Sequence, residues 1–225
     1  MIERTALVTG ASSGIGAAIA ARLLESGWSV VGLSRSAPVA HPRLRHVAVD
    51  IADAKTFGEV IAGLEDLQAV IHAAGVLRVG NVGNLDLENG RQMWRLHVEA
   101  ATQLIDRFGP TLPEGGRIVL IGSRTAQGSA GRAQYAASKA ALRGLTRSAA
   151  IELAPRRVAV NLVSPGATDT PMLRDPDRAS VAPKMPPMGR LLTPGEVAGT
   201  VAFLLGPDAA SITGQEIVLC GGGSL

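Results

Sequence analysis

The chain contains a single cysteine, Cys220, so an internal disulfide cannot form and a reducing compartment is favoured. Aromatic residues make up only 3% of the 225 residues, and there are only three lysines, at positions 55, 139 and 184. A nucleic-acid surface needs a dense basic stripe or stacking aromatic rings. The scattered arginines behind the net charge of +3 are therefore interpreted as ordinary surface charge, and no nucleic-acid partner is expected.

Metal ligands and long apolar runs are also scarce. The four histidines, His41, His46, His72 and His97, do not pair with cysteine or glutamate at ligand spacing, so no metal site is expected. Apolar runs are short and interrupted by glycine, arginine or aspartate, which argues against a membrane span. Because residues 1–5 lead directly into the strand-like Ala6-Leu7-Val8, with no charged leader before a long apolar core, no secretory signal is expected, and we predict a cytoplasmic protein.

Short apolar segments alternate with helical patterns along the whole chain. Hydrophobic residues make up 46% of the sequence, enough for one sizeable core. Helices are predicted over 15–25, 87–108 and 133–153, and strands over 5–9, 29–33, 45–49, 69–73, 117–121, 158–163 and 215–219. Near-continuous Val, Ile, Leu and Ala in strands separated by helices predict a single α/β domain over 1–225. Its expected fold is a Rossmann-type doubly wound parallel sheet of about seven strands.

One late segment, 169–190, has no regular periodicity. It contains five prolines and therefore cannot form one continuous helix. Such a segment in an α/β domain is more often a binding loop than a linker, so we expect it to cover the substrate. Its apolar side chains predict an adaptable wall: Met172, Leu173, Val181, Met185 and Met188.

A glycine-rich turn, Thr9-Gly-Ala-Ser-Ser-Gly-Ile-Gly16, separates the first strand from the first helix. Glycine lets the backbone approach a ligand closely, and the start of the helix presents free N–H groups to an anion. A glycine string can also be a plain turn. Its position after an initial buried strand favours binding of a dinucleotide pyrophosphate.

Tyr135, the only tyrosine, lies one helical turn before Lys139 on the same predicted face. A phenol has a reference pKa of about 10, and a nearby ammonium lowers it, which suits proton exchange with a carbonyl oxygen or an alcohol. The alternative is a half-buried tyrosine beside a solvated lysine on an amphipathic helix. The glycine turn upstream favours the catalytic interpretation.

Four segments in order resemble the short-chain dehydrogenase/reductase family. They are the T-G-x-x-x-G-x-G turn at 9–16, the Y-x-x-x-K pair at 135–139, the Pro-Gly loop at 164–170 and the segment at 213–217. The resemblance covers nearly the whole chain. It implies a nicotinamide-dependent oxidoreductase that assembles as a homodimer or homotetramer.

The resemblance also implies roles for two further residues. Ser123, 12 residues before Tyr135, matches the serine that polarises the substrate oxygen, with Ser129 as a weaker alternative. His97 stands where the family has an asparagine that completes a proton relay through water to the lysine. A histidine can hold the same water, or it can be a packed helix residue, and both interpretations remain open here. His72 and Cys220 also depart from the family pattern.

The charge at the end of the second predicted strand distinguishes between NADH and NADPH as cofactor. An acid there repels a 2′-phosphate and an arginine attracts it. Ser34 occupies the acidic position and Arg35 follows it, so we predict NADP(H). Asp50 resembles the residue near the adenine, and Thr168 and Thr170 resemble those that hold the carboxamide. The cofactor set comprises Gly10, Ser12, Ser13, Gly14, Ile15, Gly16, Ser34, Arg35, Asp50, Ile51, Ala73, Ala74, Gly75, Tyr135, Lys139, Pro165, Gly166, Thr168 and Thr170.

The predicted activity is NADPH-dependent reduction of a ketone or aldehyde, reversible to alcohol oxidation, on a small-molecule substrate whose identity stays open. Tyr135, Lys139, Ser123 and His97 form the candidate catalytic set. One alternative is a nucleotide-binding sensor that kept the fold and lost turnover, motivated by the residues that depart from the family pattern. Another is a lyase or epimerase that uses a bound cofactor.

Overall fold

The computed structural model describes residues 4–175 and 184–225. Seven parallel strands form one sheet in the order β3-β2-β1-β4-β5-β6-β7. The strands are β1 (Thr5–Thr9), β2 (Ser29–Ser34), β3 (Leu44–Ala48), β4 (Ala69–His72), β5 (Arg117–Ile121), β6 (Ala159–Pro165) and β7 (Glu216–Leu219). The predicted single-domain parallel sheet of the Rossmann type is confirmed.

Six α-helices in the described residues cover the sheet. They are α1 (Gly14–Glu25), α2 (Ala54–Ala62), α3 (Leu87–Trp94), α4 (Ala100–Phe108), α5 (Ala133–Leu153) and α6 (Pro194–Leu204). The sequence analysis did not predict α2 and α6, although both begin at recognisable caps. The Asp53 side chain accepts from two backbone N–H groups at the start of α2, and Thr193 forms a capping box with Glu196 at the start of α6.

Two apolar layers hold the helices against the sheet. Leu7 of β1 belongs to the layer that includes Phe57 of α2 and Leu104 of α4, whereas Val8 belongs to the layer with Ile19 of α1. Alternate residues of a strand point to opposite faces, so one strand contributes to both layers. The central strands of the sheet are buried, and they fix the positions of the loops that follow them.

The strand order reverses beside β1. The chain proceeds from β1 outward to β2 and β3, and then returns to pair β4 on the other side of β1. In open α/β sheets a crevice forms at the carboxyl ends of the two strands where the direction changes. The turn after β1 and the loop after β4 therefore flank the expected ligand site.

The predicted helix over 87–108 is interrupted by a π-helical turn, Arg95–Glu99, between α3 and α4. Within it the backbone N–H of Ala100 bonds to the carbonyl of Arg95, five residues earlier. Single π-helical turns occur frequently at functional sites. This turn carries His97, whose contacts are described below.

The segment 169–190 is described only in part. A short 3₁₀ turn, Pro171–Arg174, follows β6, and a parallel bridge joins Thr168 to Leu192. Residues 176–183, including the predicted wall residue Val181, lie outside the described residues. Across the described ranges, no helix is both long enough and apolar enough to span a membrane.

Candidate active site

A cavity of about 420 Å³ opens at the carboxyl edge of the sheet. Its wall includes ten of the residues predicted from the sequence: Ile15, Ala73, Gly75, Ser123, Tyr135, Lys139, Pro165, Gly166, Thr168 and Thr170. The other predicted cofactor residues follow β1, β2, β3 and β4 along the same edge, outside the cavity wall, and His97 lies behind it.

The glycine turn after β1 fits tightly against the loop after β4. Gly10 has φ +70°, and a Cβ there would approach the Ala74 Cα to 2.9 Å. A Cβ at Gly16 would overlap the Gly10 carbonyl oxygen. The α1 N-cap, Ser13, makes no side-chain capping bond, and the first turn of α1 carries no acid. The helix start is therefore suited to a bound anion, as the sequence predicts.

Tyr135 and Lys139 are buried on one face of α5, and Ser123 follows β5; all three line the cavity. The Ser123 Oγ accepts from the Thr125 N–H at 3.1 Å, so its own proton remains available to a ligand oxygen. Ser129, the weaker sequence candidate, is not among the residues of the cavity wall.

The amine of Lys139 is buried. It is 4% exposed, and Nζ donates to the Ile121 carbonyl at 2.8 Å. Burial lowers the pKa of Lys139 to about 7. A Cβ at Gly75 would lie 3.6 Å from this nitrogen, so the loop after β4 forms the other side of the amine's surroundings.

His97 uses both ring nitrogens in contacts with the protein. Nε2 accepts from the Val76 N–H at 3.1 Å, so Nδ1 carries the proton and donates to the Ser138 Oγ at 2.9 Å. The Ser138 hydroxyl donates in turn to the Tyr135 carbonyl. Burial, followed by the charge of Lys139, holds the pKa of His97 well below its usual value. This geometry favours the packed interpretation over a histidine that holds the relay water.

His72 connects the same elements from the other side. The Thr9 Oγ1 accepts from the N–H groups of Ala73 and Ala74, so its proton goes to the His72 Nδ1 at 2.9 Å. The His72 Nε2 then donates to the Leu96 carbonyl at 3.0 Å. Burial lowers the pKa of His72 to about 3, which keeps the ring neutral. The departure at position 72 therefore has a structural role, and the sequence analysis missed Thr9 as its partner.

The residues predicted to choose the cofactor lie at the ends of β2 and β3. Arg35 is exposed, whereas Ser34 is buried and donates to the Ser36 carbonyl at 2.8 Å. Asp50 is exposed and its Oδ1 accepts from the Ala52 N–H, while Ile51 is buried. Of this group, Arg35 has the exposed positive charge that an added phosphate would meet.

The loop after β6 meets the end of β7 and the glycine turn. A Cβ at Gly14 would contact the Thr170 methyl group at 3.4 Å, and a Cβ at Gly166 would lie 2.9 Å from the Cys220 Cα. The Cys220 Sγ lies 3.1 Å from the Ser224 Oγ. Burial alone would raise the pKa of this thiol, but hydrogen bonds from Ser224 and from the backbone of Gly222 and Gly223 lower it. At Cys220, where the chain departs from the family pattern, the structure thus shows close packing of the backbone against Gly166.

Two arginines of the cavity wall, Arg124 and Arg132, were missed by the sequence analysis. Arg124 directly follows Ser123, and that adjacency could have identified it as a residue of the site.

Within residues 4–175 and 184–225, no group of three or more His, Cys, Asp or Glu side chains could hold a metal ion.

Comparison with known proteins agrees with this fold. The family model described as enoyl-(acyl carrier protein) reductase matches residues 10–224. The chain is 35% identical to 2,3-dihydro-2,3-dihydroxybenzoate dehydrogenase of Escherichia coli strain K12, over 97% of this chain and 96% of the relative. It is also 35% identical to a 3-oxoacyl-(acyl-carrier-protein) reductase of Vibrio cholerae, with the same two coverages.

A solved short-chain dehydrogenase of Burkholderia cenocepacia in complex with NADP is 33% identical, with a TM-score of 0.87. The similarity covers 99% of this chain and 98% of that structure. The chain therefore belongs to the short-chain dehydrogenase/reductase family of oxidoreductases, as its motifs predict.

Proposed function

We propose that the protein is an NADP(H)-dependent oxidoreductase that reduces a ketone or aldehyde to an alcohol, and that also catalyses the reverse reaction. One observation carries this proposal: Ser123, Tyr135 and Lys139 all line the same cavity at the carboxyl edge of the sheet. A hydroxyl donor, a phenol and a buried amine are the groups needed to protonate an oxygen as a carbonyl is reduced.

Each side chain has one task in this proposal. The Ser123 hydroxyl, already accepting from Thr125, donates its proton in a hydrogen bond to the carbonyl oxygen. Tyr135 transfers its phenolic proton to that oxygen, and Lys139 stabilises the phenolate that forms. NADPH, when bound, supplies the hydride. His97 acts as a positioning residue, because its bond through Ser138 fixes the α5 turn that carries Tyr135.

Support for the cofactor comes from the order of residues along the sheet edge. Asp50, Arg35, the glycine turn, the loop 73–75 and Ser123 follow β3, β2, β1, β4 and β5, which are neighbours in that order. Four strand spacings of about 4.8 Å give an edge of roughly 19 Å for an extended dinucleotide. The uncapped start of α1 would hold the pyrophosphate, and Arg35 the 2′-phosphate. The similar structure from Burkholderia cenocepacia is a complex with NADP.

The substrate side of the site belongs to the same proposal. We infer that the segment 169–190 covers the substrate, since Met172, Leu173 and Met185 from it line the cavity. One curated relative is named for dehydrogenation of a dihydroxybenzoate derivative, and another for reduction of an oxoacyl group on a carrier protein. Both names describe interconversion of a hydroxyl and a carbonyl, which is the reaction class proposed here. Assembly into a homodimer or homotetramer remains a prediction, which light scattering tests.

Tyr135→Phe tests the proposal, because it removes the proton while keeping the ring. We expect kcat for a reducible ketone to fall by about a hundredfold or more, while NADPH affinity stays within about twofold of wild type. NADPH absorbance measures turnover, and calorimetric titration measures cofactor binding. A wild-type protein that consumes no NADPH across a panel of carbonyl compounds would instead support the sensor or the lyase/epimerase alternative.

A further inference from the structure

The wall of the cavity includes several positively charged side chains. Among the described residues of this wall, the charged side chains are Arg124, Arg132, Lys139 and Lys184, and none is an aspartate or glutamate. Lys139 already has a role in the proposed proton transfer. Reduction of an uncharged ketone makes no use of the other three cations.

Arg124 is held at the wall by its own contact. It directly follows Ser123, is half-buried, and its Nη1 donates to the Gly223 carbonyl at 3.0 Å. A guanidinium has five N–H donors in a planar fork that matches a carboxylate, and this contact uses one of them. Arg132 is buried on the same wall, three residues before Tyr135 on the chain.

The position of Arg124 does not suit the phosphates of the cofactor. It follows β5, whereas the glycine turn follows β1, and β4 lies between these two strands. Two strand spacings separate the two strand ends by roughly 10 Å. The proposed site for the 2′-phosphate, at the end of β2, is one strand further away. Arg124 therefore lies nearer to Ser123 than to the glycine turn, and its guanidinium contacts Gly223 after β7.

Apolar side chains also line the cavity. Leu77 packs with Met93 and Tyr135 in one buried cluster, and Met172 packs against it. Leu77, Met172, Leu173 and Met185 all line the cavity. Such a wall suits a compact hydrocarbon body, and charge-assisted hydrogen bonds from an arginine would anchor one end of it.

We propose that the substrate is an oxo acid with a compact hydrocarbon body, whose carboxylate is bound by Arg124. This inference rests on the proposed reductase function and names its substrate class. One charge-assisted interaction corresponds to about a tenfold or larger change in affinity.

The test compares 4-oxocyclohexanecarboxylate with its methyl ester and with cyclohexanone, in kcat/KM by NADPH consumption. Wild type should prefer the acid to the ester by about tenfold or more, mainly through KM. Arg124→Gln should remove most of that preference and leave the ester within about twofold, and Arg124→Lys should restore part of it. Arg147→Gln, an exposed position of α5 outside the cavity, should change neither rate.

Equal rates for acid and ester, or a preference that Arg124→Gln leaves unchanged, would overturn the inference while the reductase function stands. If no carbonyl compound is reduced, the binding of a carboxylate by Arg124 is tested by binding measurements alone. Titration calorimetry with cyclohexanecarboxylate and cyclohexanecarboxamide should then show tighter binding of the acid, lost in Arg124→Gln. Equal binding of the two probes would refute it.

Discussion

The buried amine of Lys139 makes the stability of the cofactor-free protein depend on pH in a specific direction. Burial lowers its pKa to about 7 in the folded state, from an ordinary value of 10.5. Between these two values the unfolded chain binds a proton that the folded chain does not. The free energy of unfolding must therefore rise with pH across this interval.

The size of the effect follows from the two pKa values. Integrating the difference in bound protons from pH 7 to pH 9 gives about 2 kcal/mol of added stability. Lys139→Met removes the titrating group and keeps most of the apolar stem. Urea unfolding at pH 7, 8 and 9 should show the stability of wild type rising relative to Lys139→Met by that amount.

Other groups also titrate between pH 7 and pH 9. Their contribution to stability is the same in wild type and in Lys139→Met, so it cancels when the two proteins are compared. The pKa of Cys220 is also lowered, but the thiol is present in both proteins. If the two stabilities change in parallel from pH 7 to pH 9, the amine keeps its charge in the folded state. The description of Lys139 as a group that titrates near neutral pH would then be wrong.

Three further predictions concern other parts of the site. Arg35→Asp should shift the kcat/KM ratio from NADPH toward NADH by about tenfold or more, and an unchanged ratio would remove Arg35 from the cofactor site. The folded-state pKa of His97 is lowered, so its stabilising contribution is present above pH 6.5 and is lost on acidification. Wild type should therefore lose stability relative to His97→Asn between pH 7 and pH 5 in urea unfolding, and a constant difference would contradict this. Gly16→Ala should lower both Tm and NADPH affinity because its Cβ would overlap Gly10, whereas Gly199→Ala, in open space on α6, should not lower Tm.

Local sequence determined most of the sheet and the position of each motif. The strands 5–9 and 117–121 and the helix 133–153 have the predicted bounds, because unbroken apolar runs and helical spacing end there at glycine or proline. The helices α2 and α6 were missed although each begins at a capping residue that the sequence shows, Asp53 for α2 and Thr193 for α6. Tyr135 and Lys139 are one turn apart on a helix, so their spacing alone predicts that they share a face.

Tertiary structure alone decided how the departures from the family pattern are accommodated. The His97 side chain bonds to Ser138, 41 residues away, and the His72 side chain bonds to Thr9, 63 residues away. Spacing along the chain cannot reveal such contacts, because they form only when the sheet order brings β1, β4 and α5 together. The same holds for Arg124, since a cation becomes part of a site only where folding encloses it beside the reactive groups.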